Sequence, residues 1–393
     1  MINYIAIDEL KQKDGLAVID LNPKHYFFIY SRDFELSSKT SESKCETVLI
    51  LQGGGSLGAY ECGVYKALDE HQIAFDMVVG TSIGAVNASI IAGVKNPEKR
   101  VEQLENFWYE LSENTTPPYL PDGIRKYFST FYSTFWGTPN FALPVTGWPN
   151  PWMIANVKPF LYDNTPLKST LSKYVDFNFL NNQNKTRLII TAVDIQKGSP
   201  VIFDSKQQKI DVDHVISSTG FPFYGIKWTK KDGKYLWDGS LMSNTPFREA
   251  INASPIKDKI VYLVSLFPKM HDELPKNMEE SWHRARDIMN SDKTEHNIVM
   301  SHVISRYLNL LKNMHSILSN AKLDPKLKTE FQDLEGEYCN LATRRGGVIQ
   351  EITKIERKEE SHFLLEDADF SKKTISKLIN EGYKDAHKIL KKN

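Results

Sequence analysis

The sequence has few cysteines, no excess of either charge, and no long apolar run free of helix breakers. Cys45, Cys62 and Cys339 are odd in number and widely spaced, with no C-x-x-C pair. That pattern argues against a disulfide framework and against a zinc site, and it fits a reducing compartment. Lysine plus arginine, 49, equals aspartate plus glutamate, 49. A duplex nucleic-acid binder usually carries a basic excess to neutralise phosphates, so nucleic acid is not an expected partner. Hydrophobic residues make up 41%, which excludes a disordered chain. The opening residues MINYIAIDELKQKDG place Asp8 and Glu9 where a signal peptide needs an apolar core, so the expected location is cytoplasmic. No metal-ligand cluster is visible, and no cofactor is expected.

From Tyr127 to Val157 the chain runs 31 residues without a charge. Gly137, Pro139, Pro144, Gly147, Pro149 and Pro151 would break a spanning helix repeatedly and leave backbone groups unpaired in lipid. A transmembrane segment is therefore excluded here. At 393 residues the chain can hold two or three domains, or one large α/β domain with insertions, and can bury a core without staples.

What is present is an α/β pattern. ETVLILQ (46–52) has strand length, GGGSLG (53–58) is a turn, and AYECGVYKALDEH (59–71) has helical spacing. A second strand over 75–79 leads to GTSIG (80–84) and the small-residue helix AVNASIIAG. This alternation predicts a mostly parallel sheet covered on both faces. Further strands are expected over 186–195, 200–204 and 259–267, with a helix over 212–219. From about Asn277 long, charged, helix-prone segments dominate, with Trp282, Ala285, Ile288, Met289, Val299 and Val303 among the apolar residues at near-helical spacing.

Three elements suggest chemistry. Gly80-Thr81-Ser82-Ile83-Gly84 fits G-x-S-x-G, in which a sharp strand-to-helix turn lifts the serine oxygen clear of the backbone. Alone the motif is weak, and a tight turn with a solvent-facing serine explains it equally; its place between strand and helix favours the nucleophile. Gly53, Gly54, Gly55 and Gly58 follow a strand and open a helix, where unpaired N–H groups can hold an anion such as the oxyanion of acyl transfer. Gly53, Gly55 and Gly58 also spell the dinucleotide fingerprint G-x-G-x-x-G. That fingerprint wants an acidic residue at the end of the second strand, which here ends Val78-Val79-Gly80. Asp238-Gly239-Ser240 could supply a base, although an Asp-Gly hairpin turn is the commoner use of that dipeptide. A histidine base is the other option, and the histidines downstream of Ser82 include His214, His271 and His283, but no motif marks any of them as a base.

GGGSLG, GTSIG and DGS, in this order with 21 residues between the first two, resemble the patatin-like phospholipase family, as do the longer phrases LQGGGSLGAYECGVYKAL and YLWDGSLMSNTP. VSLFPKMHDELPKNMEESWHRARDI (264–288) resembles the segment that follows the catalytic part in one subgroup, so the resemblance covers about residues 46–290 and points to the bacterial and archaeal branch. It implies a three-layer α/β/α fold with a mostly parallel central sheet. It further implies an oxyanion hole at Gly53, Gly54, Gly55 and Gly58, a nucleophile at Ser82 and a general base at Asp238, supported by Gly80, Gly84 and Gly239. Two positions depart from the family pattern: Leu57 stands where many members carry Arg or Lys, and Ser240 ends the third motif in place of Gly or Ala.

Between Phe107 and Tyr162 lie 15 of the 44 aromatic residues and 8 of the 18 prolines. This stretch is expected to wall an acyl-chain pocket, to form a lid, or to dock on a lipid surface, unless its aromatics are simply core. Trp148 and Trp152 are its test residues for docking. The tail 372–393 carries seven lysines against Glu381 and Asp385, with Ile375, Leu378, Ile379 and Ala386 on one helical face. Such a helix either lies on anionic membrane or, more often, packs on its own protein. The expected organisation is a prelude over 1–45, a catalytic domain over 46–270 with the insertion at 107–165, and a helical extension over 271–393. The expected function is a serine hydrolase of lipid acyl esters, with a lipid substrate and a peripheral membrane contact as the expected partners. An acyltransferase with the same pair, or a silent lipid-binding scaffold, are the alternatives.

Overall fold

Short β-branched runs and small-residue helices dictate the layering. In the computed structural model the described residues are 16–20, 26–30, 45–115, 124–125, 128–129, 133, 137–145, 159–271, 273–358 and 366–391. The chain divides into two units, Met1–Ser43 and Lys44–Asn393. In the first, Leu16–Asp20 (β1) pairs antiparallel with Tyr26–Tyr30 (β2).

The second unit begins Glu46–Leu51 (β3), Gly58–Glu70 (α1), Met77–Thr81 (β4), Ile83–Gly93 (α2) and Arg100–Leu111 (α3). The two-residue strands Leu143–Pro144 (β5) and Tyr162–Asp163 (β6) pair with each other. Then come Thr165–Tyr174 (α4), Phe177–Asn182 (α5), Arg187–Asp194 (β7), Ser199–Asp204 (β8) and Val212–Ser217 (α6). Thr229–Lys231 (β9), Lys234–Asp238 (β10), Ser240–Ser243 (α7), Phe247–Ala253 (α8) and Lys259–Ser265 (β11) complete the region where the motifs lie. The C-terminal part contributes Met278–Ser319 (α9), Pro325–Arg345 (α10), Ile349–Glu356 (β12) and Lys372–Leu390 (α11).

Strands β12, β11, β3, β4 and β7 pair in parallel, in that order. Strands β8 and β10 pair antiparallel with β7, and β9 follows β10. Alternate side chains point to opposite faces. Leu49, Leu51, Val78, Leu188 and Ile190 join the core beneath α1, α2, α3 and α11. Val48, Ile50, Met77, Val79 and Ile189 join a second core with Phe247 and Ala250 of α8 and Ile298 of α9. The result is the expected α/β architecture in three layers.

The segment 271–393, expected to be helical, contains one strand of the sheet. β12 lies at the sheet edge beside β11. Its outer positions carry Glu351, Lys354 and Glu356, charges of the kind that blunt an exposed edge and that also mask the strand in the sequence. The basic tail packs on its own protein: Ile375, Leu378, Ile379 and Ala386 of α11 are buried while Lys372, Lys377, Lys384 and Lys388 are exposed. Helices α1 and α11 cross so closely that a methyl group on Gly63 would strike the Ile379 carbonyl, and one on Gly382 the Tyr60 carbonyl. In α9, Met300, Ile304, Tyr307, Leu311 and Met314 remain exposed among the described residues, so its periodicity marks a helix but not a fully buried one.

Of the aromatic insertion, Phe107 and Trp108 belong to α3 and the core, contrary to an irregular start at 107. Trp148 and Trp152 lie outside the described residues. Among the described residues, no helix is long and apolar enough to cross a membrane.

Candidate active site

Ser82 stands between the end of β4 and the first turn of α2, at φ 54° and ψ −126°. For a non-glycine residue this is a strained conformation, costing about 1–3 kcal/mol, and it requires support from its surroundings. The support is visible. A methyl group on Gly80 would collide with the Gly84 carbonyl, and one on Gly84 would lie 2.6 Å from the Leu51 carbonyl oxygen. Both glycines of the motif are therefore needed for the chain to double back beside β3. Ser82 N–H donates to Ser218 Oγ at 2.8 Å, and that hydroxyl donates to the Thr191 carbonyl at 2.7 Å. As the N-cap of α2, Ser82 also sits at the positive end of a helix dipole.

Asp238 is the last residue of β10, and Ser82 Oγ donates to its Oδ2 at 2.6 Å. Its Oδ1 accepts from Ser240 N–H at 2.8 Å. Burial pushes the carboxyl, 1% exposed, up to about 6, against the hydrogen bonds from Ser82 and Ser240 that favour ionisation. The Asp-Gly pair here is not a hairpin. That role belongs to Asp232-Gly233, both at positive φ, in the two-residue turn between β9 and β10. Asp238-Gly239 instead leads from strand to the short helix α7, and Gly239 is pressed against Thr191.

The glycine loop divides into two roles. Gly53, Gly54 and Gly55 line one cavity with Ser82 and Asp238. A methyl group on Gly53 would lie 2.5 Å from Asn244 Oδ1 and 3.0 Å from Ser82 Cβ. Gly58, expected to contribute to the oxyanion hole, does not line the cavity. Its N–H donates to the carbonyls of Gly55 and Ser56, and the residue packs on Ile83 and Trp108. Its small size serves helix packing, which the spacing of glycines alone cannot distinguish from an anion site. Gly53 N–H is also taken, donating to the Asn244 carbonyl at 3.1 Å.

Behind the loop lies a buried polar network. Glu61 accepts from Gln52 N–H at 2.7 Å and from Asn87 Nδ2 at 2.8 Å, while Trp108 Nε1 donates to Asn87 Oδ1 at 3.0 Å. Asn87 Nδ2 also donates to the Gly58 carbonyl, so the network fixes both ends of the loop. Burial raises the Glu61 carboxyl to about 8, against the hydrogen bonds from Asn87 and Gln52.

The cavity measures about 600 Å³. Phe141, Phe160, Phe221, Phe223, Ile226 and Phe370 give it an apolar wall, so described residues of the aromatic insertion do reach it. Arg286 and Asn290 of α9, and Asp367, join the lining from the segment expected to be a separate extension. Leu57, the position noted above as departing from the resembled pattern, is buried, and among the described residues the cation that lines this cavity is Arg286. The sequence marks no role for Asn290, Asp367 or Ser218, whereas Asn244 lies inside YLWDGSLMSNTP and Arg286 inside VSLFPKMHDELPKNMEESWHRARDI, although neither residue is singled out there. Among the described residues no group of His, Cys, Asp and Glu is arranged to hold a metal.

The chain belongs to the patatin-like phospholipase family. The profile described as patatin-like phospholipase matches residues 49–251, and one described as patatin phospholipase matches 288–393. A cGAMP-activated phospholipase of Escherichia coli (strain TW11681) is 22% identical over 249 residues, 56% of this chain and 61% of the relative. A lysophospholipase NTE1 of Meyerozyma guilliermondii is 36% identical over 129 residues, 29% of this chain and 9% of the relative. The triacylglycerol lipase SDP1L of Arabidopsis thaliana is 34% identical over 73 residues, 19% and 9% respectively. The chain thus spans about three-fifths of the first relative and under a tenth of the other two. The crystal structure of VipD from Legionella pneumophila aligns with 99% of this chain and 72% of its own at 13% identity, with a TM-score of 0.36.

Proposed function

We propose that the protein hydrolyses acyl esters of lipids, with Ser82 as nucleophile and Asp238 as its base. The observation that carries this reading is the 2.6 Å hydrogen bond from Ser82 Oγ to Asp238 Oδ2 inside a cavity with an aromatic wall. Membership in the patatin-like phospholipase family supports it. The size of the cavity, about 600 Å³, is that of a site for one small ligand, and its wall suits an acyl chain.

In the first half-reaction Ser82 Oγ attacks the ester carbonyl carbon as its proton passes to Asp238 Oδ2. The carbonyl oxygen becomes an oxyanion facing the glycine loop. With the N–H groups of Gly53 and Gly58 already engaged, those of Gly54 and Gly55 are the donors assigned to it. Collapse breaks the bond to the alcohol, which leaves with the proton from Asp238. In the second half, Asp238 takes a proton from water as the water oxygen attacks the acyl-enzyme. The acid departs and the proton returns to Ser82 Oγ. Asp238 can serve directly because burial places its carboxyl near 6, basic enough to accept a proton yet ionised at neutral pH.

The test is hydrolysis of a chromogenic acyl ester. Ser82→Ala and Asp238→Asn should each lower kcat by about a thousandfold or more with the fold intact. Full activity in either variant contradicts the assignment.

A further inference from the structure

Helix α9 touches the rest of the chain along one side. Ile298 joins the second core, Ser301 is buried, and the buried Ser305 hydroxyl accepts from Ile349 N–H. Its C-terminal half pairs with α10, which returns antiparallel after a short turn. There His315 stacks on Tyr338 and packs against Phe331.

The other side of α9 is apolar and exposed. Met300, Val303, Tyr307, Leu310, Met314 and Ile317 follow one another at alternating steps of three and four residues, and Val299, Ile304 and Leu311 flank them. At about 100° per residue these side chains span about 140° of the helix surface, and no polar residue between 299 and 318 falls within that arc. On α10, Leu327, Leu334 and Leu341 recur every seven residues beside Phe331 and Tyr338, and they too are exposed. Measured around each helix from the His315–Tyr338 contact, the two rows lie on the same flank of the antiparallel pair and make one face.

The area and pattern of this face identify what covers it. The largest apolar patch of a typical monomer is about 300–600 Å². Twelve side chains at 37–69% exposure present on the order of 1,000 Å², enough for the roughly 800 Å² per partner that a stable interface buries. Steps of three and four residues leave the holes into which the side chains of a partner helix fit. A helix lying on anionic lipid carries a basic excess beside its apolar side, whereas α10 has four basic residues against four acidic ones between 326 and 345. We propose that this face joins two copies of the chain, packed hairpin on hairpin as a four-helix bundle about a two-fold axis. The interface stands apart from the Ser82–Asp238 chemistry, so neither depends on the other.

Sedimentation velocity of the full chain tests it. At micromolar concentration the wild type should sediment with twice the mass of one chain. Leu310→Lys on α9 and Leu334→Lys on α10 each put a charge into the seam, which the separated chain keeps in water. Each should raise the dissociation constant at least about a hundredfold, giving a monomer with unchanged far-ultraviolet circular dichroism. Asn309→Lys, on the polar side of α9, should remain a dimer. Hydrogen exchange on the wild type decides the matter should the variants not fold: residues 299–318 should exchange more slowly above the dissociation constant than far below it. A monomeric wild type overturns the proposal, including one that sediments with phosphatidylcholine vesicles, since lipid would then be the occupant. A dimer that both lysine variants retain, or exchange over 299–318 that is independent of concentration, overturns it as well.

Discussion

The carbonyl of Asp367 rests against Gly55, joining a turn near the C-terminus to the loop that follows the first strand of the main sheet. A second tie, from Ser56 Oγ to the Glu366 carbonyl at 3.0 Å, runs beside it. The part of the chain expected to be an extension is thus a wall of the cavity. Gly55 stands at φ 55°, where a side chain adds strain as well as the collision.

Gly55→Ala is accordingly expected to move the loop. The variant should lose about 1–3 kcal/mol of stability in chemical denaturation. Its kcat on a chromogenic ester should fall about a hundredfold, the scale of losing one oxyanion donor. Wild-type kcat with lowered stability would separate the loop from catalysis.

The dependence of rate on pH follows from Asp238. Its carboxyl is raised to about 6, and only the ionised form can accept the serine proton. Between pH 5 and 8, kcat/KM should rise with pH, reach half of its plateau near pH 6, and fall about tenfold per unit below that. A flat profile from pH 5 to 8 would argue against Asp238 as the base.

The same shift opposes stability at higher pH. An unfolded aspartate titrates near ~3.9, so between that value and about 6 the folded chain binds more protons than the unfolded one. Asp238 thus favours folding fully below pH ~4, and that contribution is lost as pH rises through about 6. Asp238→Asn cannot ionise, and should exceed the wild type at pH 8 by up to about 3 kcal/mol in urea unfolding. The difference should vanish near pH 4. Equal stability at both pH values would contradict a buried, ionised Asp238.

Much of this was legible in the sequence because the motifs coincide with element boundaries. GGGSLG and GTSIG each close a strand and open a helix, so hydrophobic patterning and glycine placement point to the same geometry. The two Asp-Gly pairs were less readable. Asp232-Gly233 and Asp238-Gly239 look alike locally, yet one turns a hairpin and the other ends a strand, a distinction made by the partners of β10 rather than by the dipeptide. Gly58 reads as part of an anion loop, but its N–H is used within the helix start. Asp367 carried no local signal, and Arg286 lay in a family-like phrase, VSLFPKMHDELPKNMEESWHRARDI, that does not mark it as a cavity residue. They reach the cavity through a helix and a turn about 200 residues or more beyond Ser82, and only tertiary packing makes them neighbours. Strand β12 was hidden by the charges that suit it to an edge.

The most direct measurement is labelling by a fluorophosphonate, followed by mass spectrometry of the modified peptide. The account predicts one phosphonylated residue, Ser82, at a rate that falls at least about a hundredfold in Asp238→Asn. Label on another residue, or an undiminished rate in Asp238→Asn, would contradict it.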